Sequence, residues 1–323
     1  MRRRAGLQIV TTLAVLGWLQ LAAAHAQLRE QPVRIMFPLA AGSASDTLAR
    51  LMAERLAAVI GKPVIVENRT GAAGRLAVQA VKSAAPDGMT LFLGPMALMS
   101  VYPHFYTQLG YDPVADFEPV TQFATIEFAV GVANRVPAKT LREYVAWVKA
   151  NAGEGSFSTP GTGTLAYLLG LKLAADNGIV LRHAAYRGSA PAIQDMVAGQ
   201  LPMVLASTPE FIAQHKAGMI RVLATSTPQP FIPGLPLFED EGFDSRATGS
   251  FPVWAPARTP AAILDQYNKI LVEAVHLPEL EAKLLAIGYQ PTGTTRARLA
   301  ELQKADSDLW GPIVKASGFS PEQ

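Results

Sequence analysis

Three short stretches of this chain are built mainly from Gly, Ala, Ser and Thr: 38–46 (PLAAGSASD), 159–164 (TPGTGT) and 186–190 (YRGSA). Small side chains let the backbone come close to a bound molecule, and each stretch runs into a predicted helix start. The free N–H groups and positive dipole end found there favour a carboxylate or a phosphate. Taken singly, such a loop is more often an ordinary strand-to-helix turn. Three of one character argue for ligand binding, because loops of this kind gather at the carboxyl ends of strands in parallel α/β sheets. Within them, Ser45 or Asp46 is expected to cap the helix that follows, and Asp46 is equally open to holding a ligand amine or a water. Arg187 is read either as a partner for a distal ligand carboxylate or as a solvated surface charge.

Catalytic patterns are missing. Once the amino-terminal segment is set aside, His104, His183, His215 and His276 remain, far apart and without partners at metal-ligand or triad spacing. No G-x-S-x-G elbow occurs, Gly161-Thr162-Gly163 lacks the Gly-Lys-Ser/Thr of a P-loop, and the dinucleotide G-x-G-x-x-G is incomplete. A non-enzymatic protein with no cofactor and no metal is expected.

Residues 1–26 carry the marks of a secretory signal: Arg2, Arg3 and Arg4, an apolar run over 9–21, and Ala24-His25-Ala26 before Gln27. The run is short for a membrane span, and no second candidate follows. Removing the segment takes three of the 28 basic residues and none of the 26 acidic ones, so the net charge falls from +2 to −1. That balance does not suggest nucleic acid. The chain has no Cys, hence neither a disulfide framework nor a lipid-anchor cysteine, which fits a bacterial periplasm. About 297 residues would remain, more than one core usually organises, so two domains are expected. With 50% hydrophobic and 17% charged residues the composition is globular.

The elements that position the loops follow from periodicity and turn chemistry. Val33-Arg34-Ile35-Met36-Phe37 reads as a strand ended by Pro38, and Leu48, Leu51, Met52, Leu56 and Ile60 share one face of a helix over 47–60. Strands over 64–68 and 90–94, with a helix over 75–83 between them, make a βαβαβ series that predicts a parallel sheet. Strands follow over 120–128 and 129–133, then a helix over 141–150 opened by a capping box of Thr140 and Glu143. A second βα series comprises strands 156–158, 181–185, 203–205 and 220–225 and helices 165–175, 192–198 and 209–217. Residues 228–236 form a Pro-rich excursion. A strand over 250–255 and helices over 261–275, 278–287 and 296–316 close the chain.

The sequence resembles the periplasmic solute receptors of tripartite tricarboxylate transporters, the Bug-type receptors, over nearly all of the mature chain. The residues that carry the resemblance are Phe37-Pro38 with Gly42-Ser43-Ala44-Ser45-Asp46, Val66-Glu67-Asn68-Arg69 with Gly71-Ala72-Ala73-Gly74, and Ala85-Pro86-Asp87-Gly88. They continue with Tyr111-Asp112-Pro113-Val114, Asp116-Phe117, Tyr186-Arg187-Gly188-Ser189-Ala190-Pro191-Ala192 and Gly199-Gln200. The resemblance implies an α/β fold of two periplasmic-binding-protein lobes, each a mostly parallel sheet flanked by helices, with the ligand in the cleft between them. The lobes would be 27–125 with 251–323, and 126–250. It also implies that a small carboxylate is held through backbone groups and ordered water by Leu39, Ala40, Ala41, Gly42, Ser43 and Ser45 on one side. Ser158, Thr159, Gly161, Thr162, Gly163 and Thr164 would hold it on the other. Membrane transporter subunits are the implied partners of a monomeric receptor that closes on its ligand.

Three departures from the family pattern bear on the ligand. Leu39-Ala40-Ala41 replaces a Pro-Pro or Pro-Gly and loosens the first loop. Thr164-Leu165 follows Gly163 where the family often has a Ser pair. Ala206-Ser207 replaces an Asp-Asn after the strand 203–205, which speaks against an amine-bearing ligand and for a plain carboxylic acid. Phe37, Tyr167 and Tyr186 could give the cleft an apolar side, suited to a neutral or aromatic carboxylated compound. A ligand-sensing partner of a signalling system is the alternative function, and a periplasmic enzyme on the same fold is a more distant one.

Overall fold

A computed structural model describes residues 31–161, 163–186, 188–228, 232–243 and 248–317. The expected signal segment 1–26 with Gln27, the site candidates Thr162 and Arg187, and part of the Pro-rich excursion lie outside the described residues.

In chain order the elements begin with β1 (Val33–Phe37), α1 (Ala44–Ile60), β2 (Val64–Asn68), α2 (Arg75–Lys82) and β3 (Thr90–Leu93). Two one-turn helices, α3 (Ala97–Ser100) and α4 (Tyr102–Phe105), precede β4 (Phe117–Ile126) and β5 (Phe128–Ala133). Then come α5 (Leu141–Ala150), β6 (Ser156–Ser158), α6 (Leu165–Asn177), β7 (Arg182–Ala184), α7 (Ser189–Val197), β8 (Met203–Ser207), α8 (Ile212–Lys216) and β9 (Ile220–Thr225). The chain ends with β10 (Gly249–Pro256), α9 (Ala261–Val275), α10 (Pro278–Ala286), β11 (Tyr289–Pro291) and α11 (Arg296–Ser317).

Two sheets result. The first is six-stranded in the order β11-β4-β10-β3-β1-β2, and the second five-stranded in the order β7-β6-β8-β5-β9. β1 pairs in parallel with β2 and β3, as the βαβαβ reading requires. The expectation of mostly parallel sheets is corrected: β10 runs antiparallel to β3 and β4, β11 antiparallel to β4, and β5 antiparallel to β8 and β9. The cause is the chain crossing. β4 passes into β5 through Glu127 alone, and β9 returns to β10, so the crossing strands enter each sheet against the direction of its βα units. Both sheets are therefore mixed, within two α/β layers covered by helices.

α1 begins earlier than its periodicity suggests, and its cap is neither Ser45 nor Asp46. Ser43 holds the N-cap in extended conformation, with its hydroxyl accepting from Asp46 N. Gly61 ends the helix at φ 67° and donates its N–H to Ala57 O. Leu48, Ala49, Met52, Ala53 and Leu56 are its buried face. At α5, Thr140 caps Glu143 N as expected, while the Glu143 carboxylate reaches one residue further back, to Lys139 N. The helix expected over 209–217 is a 3-10 turn, Thr208–Phe211, followed by α8.

Side-chain packing does not divide quite as the strands do. The core of the second sheet takes in Val101 and Phe105 from the stretch before β4, and Trp310 and Val314 from α11. Leu299, near the start of α11, packs instead with Phe92 and Trp254 of the first sheet. The last helix thus joins both cores, and the Ser100 and His104 side chains fasten it through Asp306 and Ser307.

Candidate functional site

The first small-residue loop leaves β1 at Pro38 and is held by the carboxylate of Asp46. Oδ2 accepts from Gly42 N at 2.9 Å and from Arg50 Nε at 2.9 Å, and Oδ1 accepts from Asn68 Nδ2 at 2.8 Å. Asn68, at the end of β2, also donates to Leu39 O at 3.0 Å, so one amide ties both ends of the loop. Ser43 Oγ donates to Ala40 O and lies 2.9 Å from Ser45 Oγ. Burial alone would raise the Asp46 pKa; the hydrogen bonds from Gly42 N, Arg50 and Asn68 outweigh it and hold the carboxyl below its usual range. Asp46 is thus not the helix cap, and its carboxylate braces the loop from inside. The Gly42 N–H is occupied by that brace, whereas those of Ala44 and Ser45, in the first turn of α1, have no intrahelical acceptor. Gly42 itself sits at φ +83° with open space where a Cβ would lie, and Ala40 and Ala41 are exposed beside it.

The second loop follows β6 and is held by neutral groups. Gly161 O accepts from the hydroxyls of Thr159 and Thr164, at 2.9 and 2.8 Å. Thr164 is also the N-cap of α6, accepting from Tyr167 N. Thr159 Oγ1 lies 2.9 Å from His183 Nε2. Since the single hydroxyl proton of Thr159 goes to Gly161 O, the imidazole must be the donor, which places a proton on Nε2. The ring packs edge-on against Phe157 and Tyr167, and burial lowers its pKa, so it is held neutral. Ser158 is fully buried and donates to Ala184 O, bracing β6 against β7. Gly163 has φ +78°.

The third stretch is tied to the second, since Gly188 N donates to Pro160 O at 3.0 Å. Gly188 is the N-cap of α7 with no capping side chain, and Pro191 has no N–H to offer. Tyr186 gives its hydroxyl to Asp195. Phe37 is 0% exposed in the first core, and Tyr167 stacks on Phe157 in the second. Ser207, at the end of β8, donates to Glu210 Oε1 at 2.5 Å.

Most of the described candidates therefore fall into two braced clusters, 39–46 with Asn68, and 158–161, 163 and 164 with His183 and Gly188. Asn68 was visible in sequence as a polar residue ending a strand, and His183 as one of the unpartnered histidines, inside the strand over 181–185. Glu210, which accepts from Ser207, and Tyr289, buried beside Ser45, gave no sequence signal. Among the described residues no group of three or more His, Asp or Glu is placed to hold a metal ion. No helix of the described residues is long and apolar enough to cross a membrane.

The family model described as tripartite tricarboxylate transporter family receptor matches residues 48–319. A UPF0065 protein of Bordetella bronchiseptica is 33% identical over 311 residues, 95% of this chain and 92% of that protein. A solved structure described as a periplasmic transporter is 31% identical with a TM-score of 0.77, covering 90% of this chain and 98% of its own. R. palustris Rpa4515, solved with adipate, is 26% identical with a TM-score of 0.78 over the same shares.

Proposed function

The chain belongs to the tripartite tricarboxylate transporter receptor family, and on that premise we propose that it captures a small carboxylate between its two lobes and presents it to membrane transporter subunits. The supporting observation is the pair of separately braced small-residue loops at the carboxyl ends of β1 and β6. Each leads into a helix whose first-turn N–H groups lack intrahelical acceptors. Rpa4515, of the same fold, holds a dicarboxylate, which supports the ligand class.

In this reading the ligand meets the backbone of 39–45 and of 159–164, while the hydroxyls of Ser43 and Thr164, whose protons go to Ala40 O and Gly161 O, shape the loops, and Arg187 is the candidate partner of a distal ligand carboxylate. Phe37 and Ser158 contribute by fixing the strand ends. The lobes are 27–125 with 251–323, and 126–250. The protein works as a periplasmic monomer after removal of 1–26 and performs no chemistry on its ligand.

A thermal-shift screen of the exported protein against C4 to C6 dicarboxylates, citrate and aromatic acids tests this. A ligand at 100 times its dissociation constant stabilises the fold by about 2.7 kcal/mol. A screen in which no carboxylate shifts the transition, while some neutral solute does, would overturn the proposal.

A further inference from the structure

The motif Gly71-Ala72-Ala73-Gly74, which carries part of the family resemblance, links β2 to α2 through four successive residues with positive φ: 117°, 45°, 53° and 90°. Gly74 N donates to Gly71 O at 2.9 Å and closes a turn with Ala72 and Ala73 as its central pair. Positive φ at both central residues suits Gly, Asn or Asp, because a Cβ there crowds the following carbonyl oxygen. Alanine has no polar side chain to compensate, so this conformation persists only where its surroundings impose it.

Two side chains impose it. Tyr102, on α4, donates its hydroxyl to Ala73 O at 3.0 Å, and Arg75 donates Nε to Ala72 O at 3.1 Å. The Arg75 guanidinium lies 4.0 Å from the centre of the Tyr106 ring, and that ring is 5.3 Å from the ring of Tyr102. Both carbonyls of the strained pair are thus gripped by one cluster, whose two tyrosines pack against the cores of both sheets.

The turn in its place holds the root of the first loop. Arg69 N donates to Phe37 O at 2.8 Å, and Asn68 Nδ2 to Leu39 O at 3.0 Å. Between them Gly74 lies against Pro38, where a Cβ would come 3.0 Å from the proline Cβ. The three consecutive residues by which the loop leaves β1 are therefore each met by the segment 68–74, and the tight turn is what returns Gly74 to Pro38.

We propose that Tyr102 and Arg75 are positioning residues for ligand capture: by holding Ala72 and Ala73 at positive φ they fix the root of the first loop, and with it the loop's binding geometry. The proposal rests on the receptor reading above.

Hydrogen exchange and calorimetry on Tyr102→Phe, which keeps the ring and removes the donor, test it. Exchange should rise about three- to tenfold at Gly42 and within 69–74, the range of one neutral hydrogen bond, and stay unchanged in 159–164. Affinity for the tightest binder among succinate, adipate and citrate should fall by a similar factor. Arg75→Met should act in the same direction. Adding Ala72→Gly and Ala73→Gly to either variant should restore both readouts, because glycine takes positive φ without the clamp. A merely structural Tyr102 would loosen both loops alike, and two glycines would not reverse that. Exchange at Gly42 that stays unchanged, that the glycines do not restore, or that rises while affinity holds overturns this proposal and keeps the receptor. Failure of all three acids to bind counts against the receptor reading, while exchange at Gly42 still decides the clamp.

Discussion

The two candidate loops do the same work with opposite chemistry. The loop after β1 is braced by an ionised carboxylate, with Asp46 gathering Gly42 N, Arg50 and Asn68, whereas the loop after β6 is braced by two threonine hydroxyls and a neutral imidazole. Charged hydrogen bonds are roughly twice as strong as neutral ones and fail when the charge is lost. The first loop is thus the more rigidly held and the second the more adaptable, and acid should reach the two in different pH windows.

The largest expected effect is at Gly42. A valine at φ +83° costs about 1–2 kcal/mol in backbone conformation alone, and relief requires breaking the bond from Gly42 N to Asp46. Since a Cβ would meet nothing, the protein should still fold, and Gly42→Val should lower carboxylate affinity at least a hundredfold by calorimetry. Near-normal affinity would show that the first loop does not need its observed shape.

Next comes the brace. Asp46→Ala leaves the Gly42 and Asn68 donors without their acceptor and should cost about 1–3 kcal/mol of stability by denaturant unfolding. Thr159→Val, its counterpart in the second loop, should cost about 1 kcal/mol. Equal losses would erase the distinction between the loops.

The smallest effect is the most discriminating. His183 titrates below its ordinary 6.5, so the fold disfavours its protonated form; stability is full above 6.5 and falls as pH drops from there through the folded value. Asp46 lies below its ordinary 3.8, so its contribution is present above 3.8 and lost only as pH falls through the lower folded value. Acidification from pH 7 to 5 should therefore increase amide exchange in 159–164 and leave 39–46 protected. His183→Gln should remove that response. Loosening of the first loop in this range would break the comparison.

Local chemistry was legible in the sequence where one element settles its own form. Apolar spacing after Pro260 predicts the bounds of α9, 261–275, and Gly and Ser composition marks the three loops. Strand direction was not legible, because the antiparallel pairing of β10 arises where the chain crosses between sheets. Nor was the brace, since the partners of Asp46 come from i−4 and i+4 in its own segment and from Asn68 on a neighbouring strand. Only the sheet brings that last pair together.

The last helix gives the molecule an order of assembly. Trp310 and Val314 fill the interior of the second sheet, yet they lie more than eighty residues beyond its final strand. A chain that emerges amino-terminus first can pair every strand of that sheet and still have a hole where this tryptophan belongs. Completion waits for the final turns, so the half of the molecule built from the middle of the sequence is sealed by its end, and a chain clipped before residue 310 would keep every proposed ligand contact on an unfinished support.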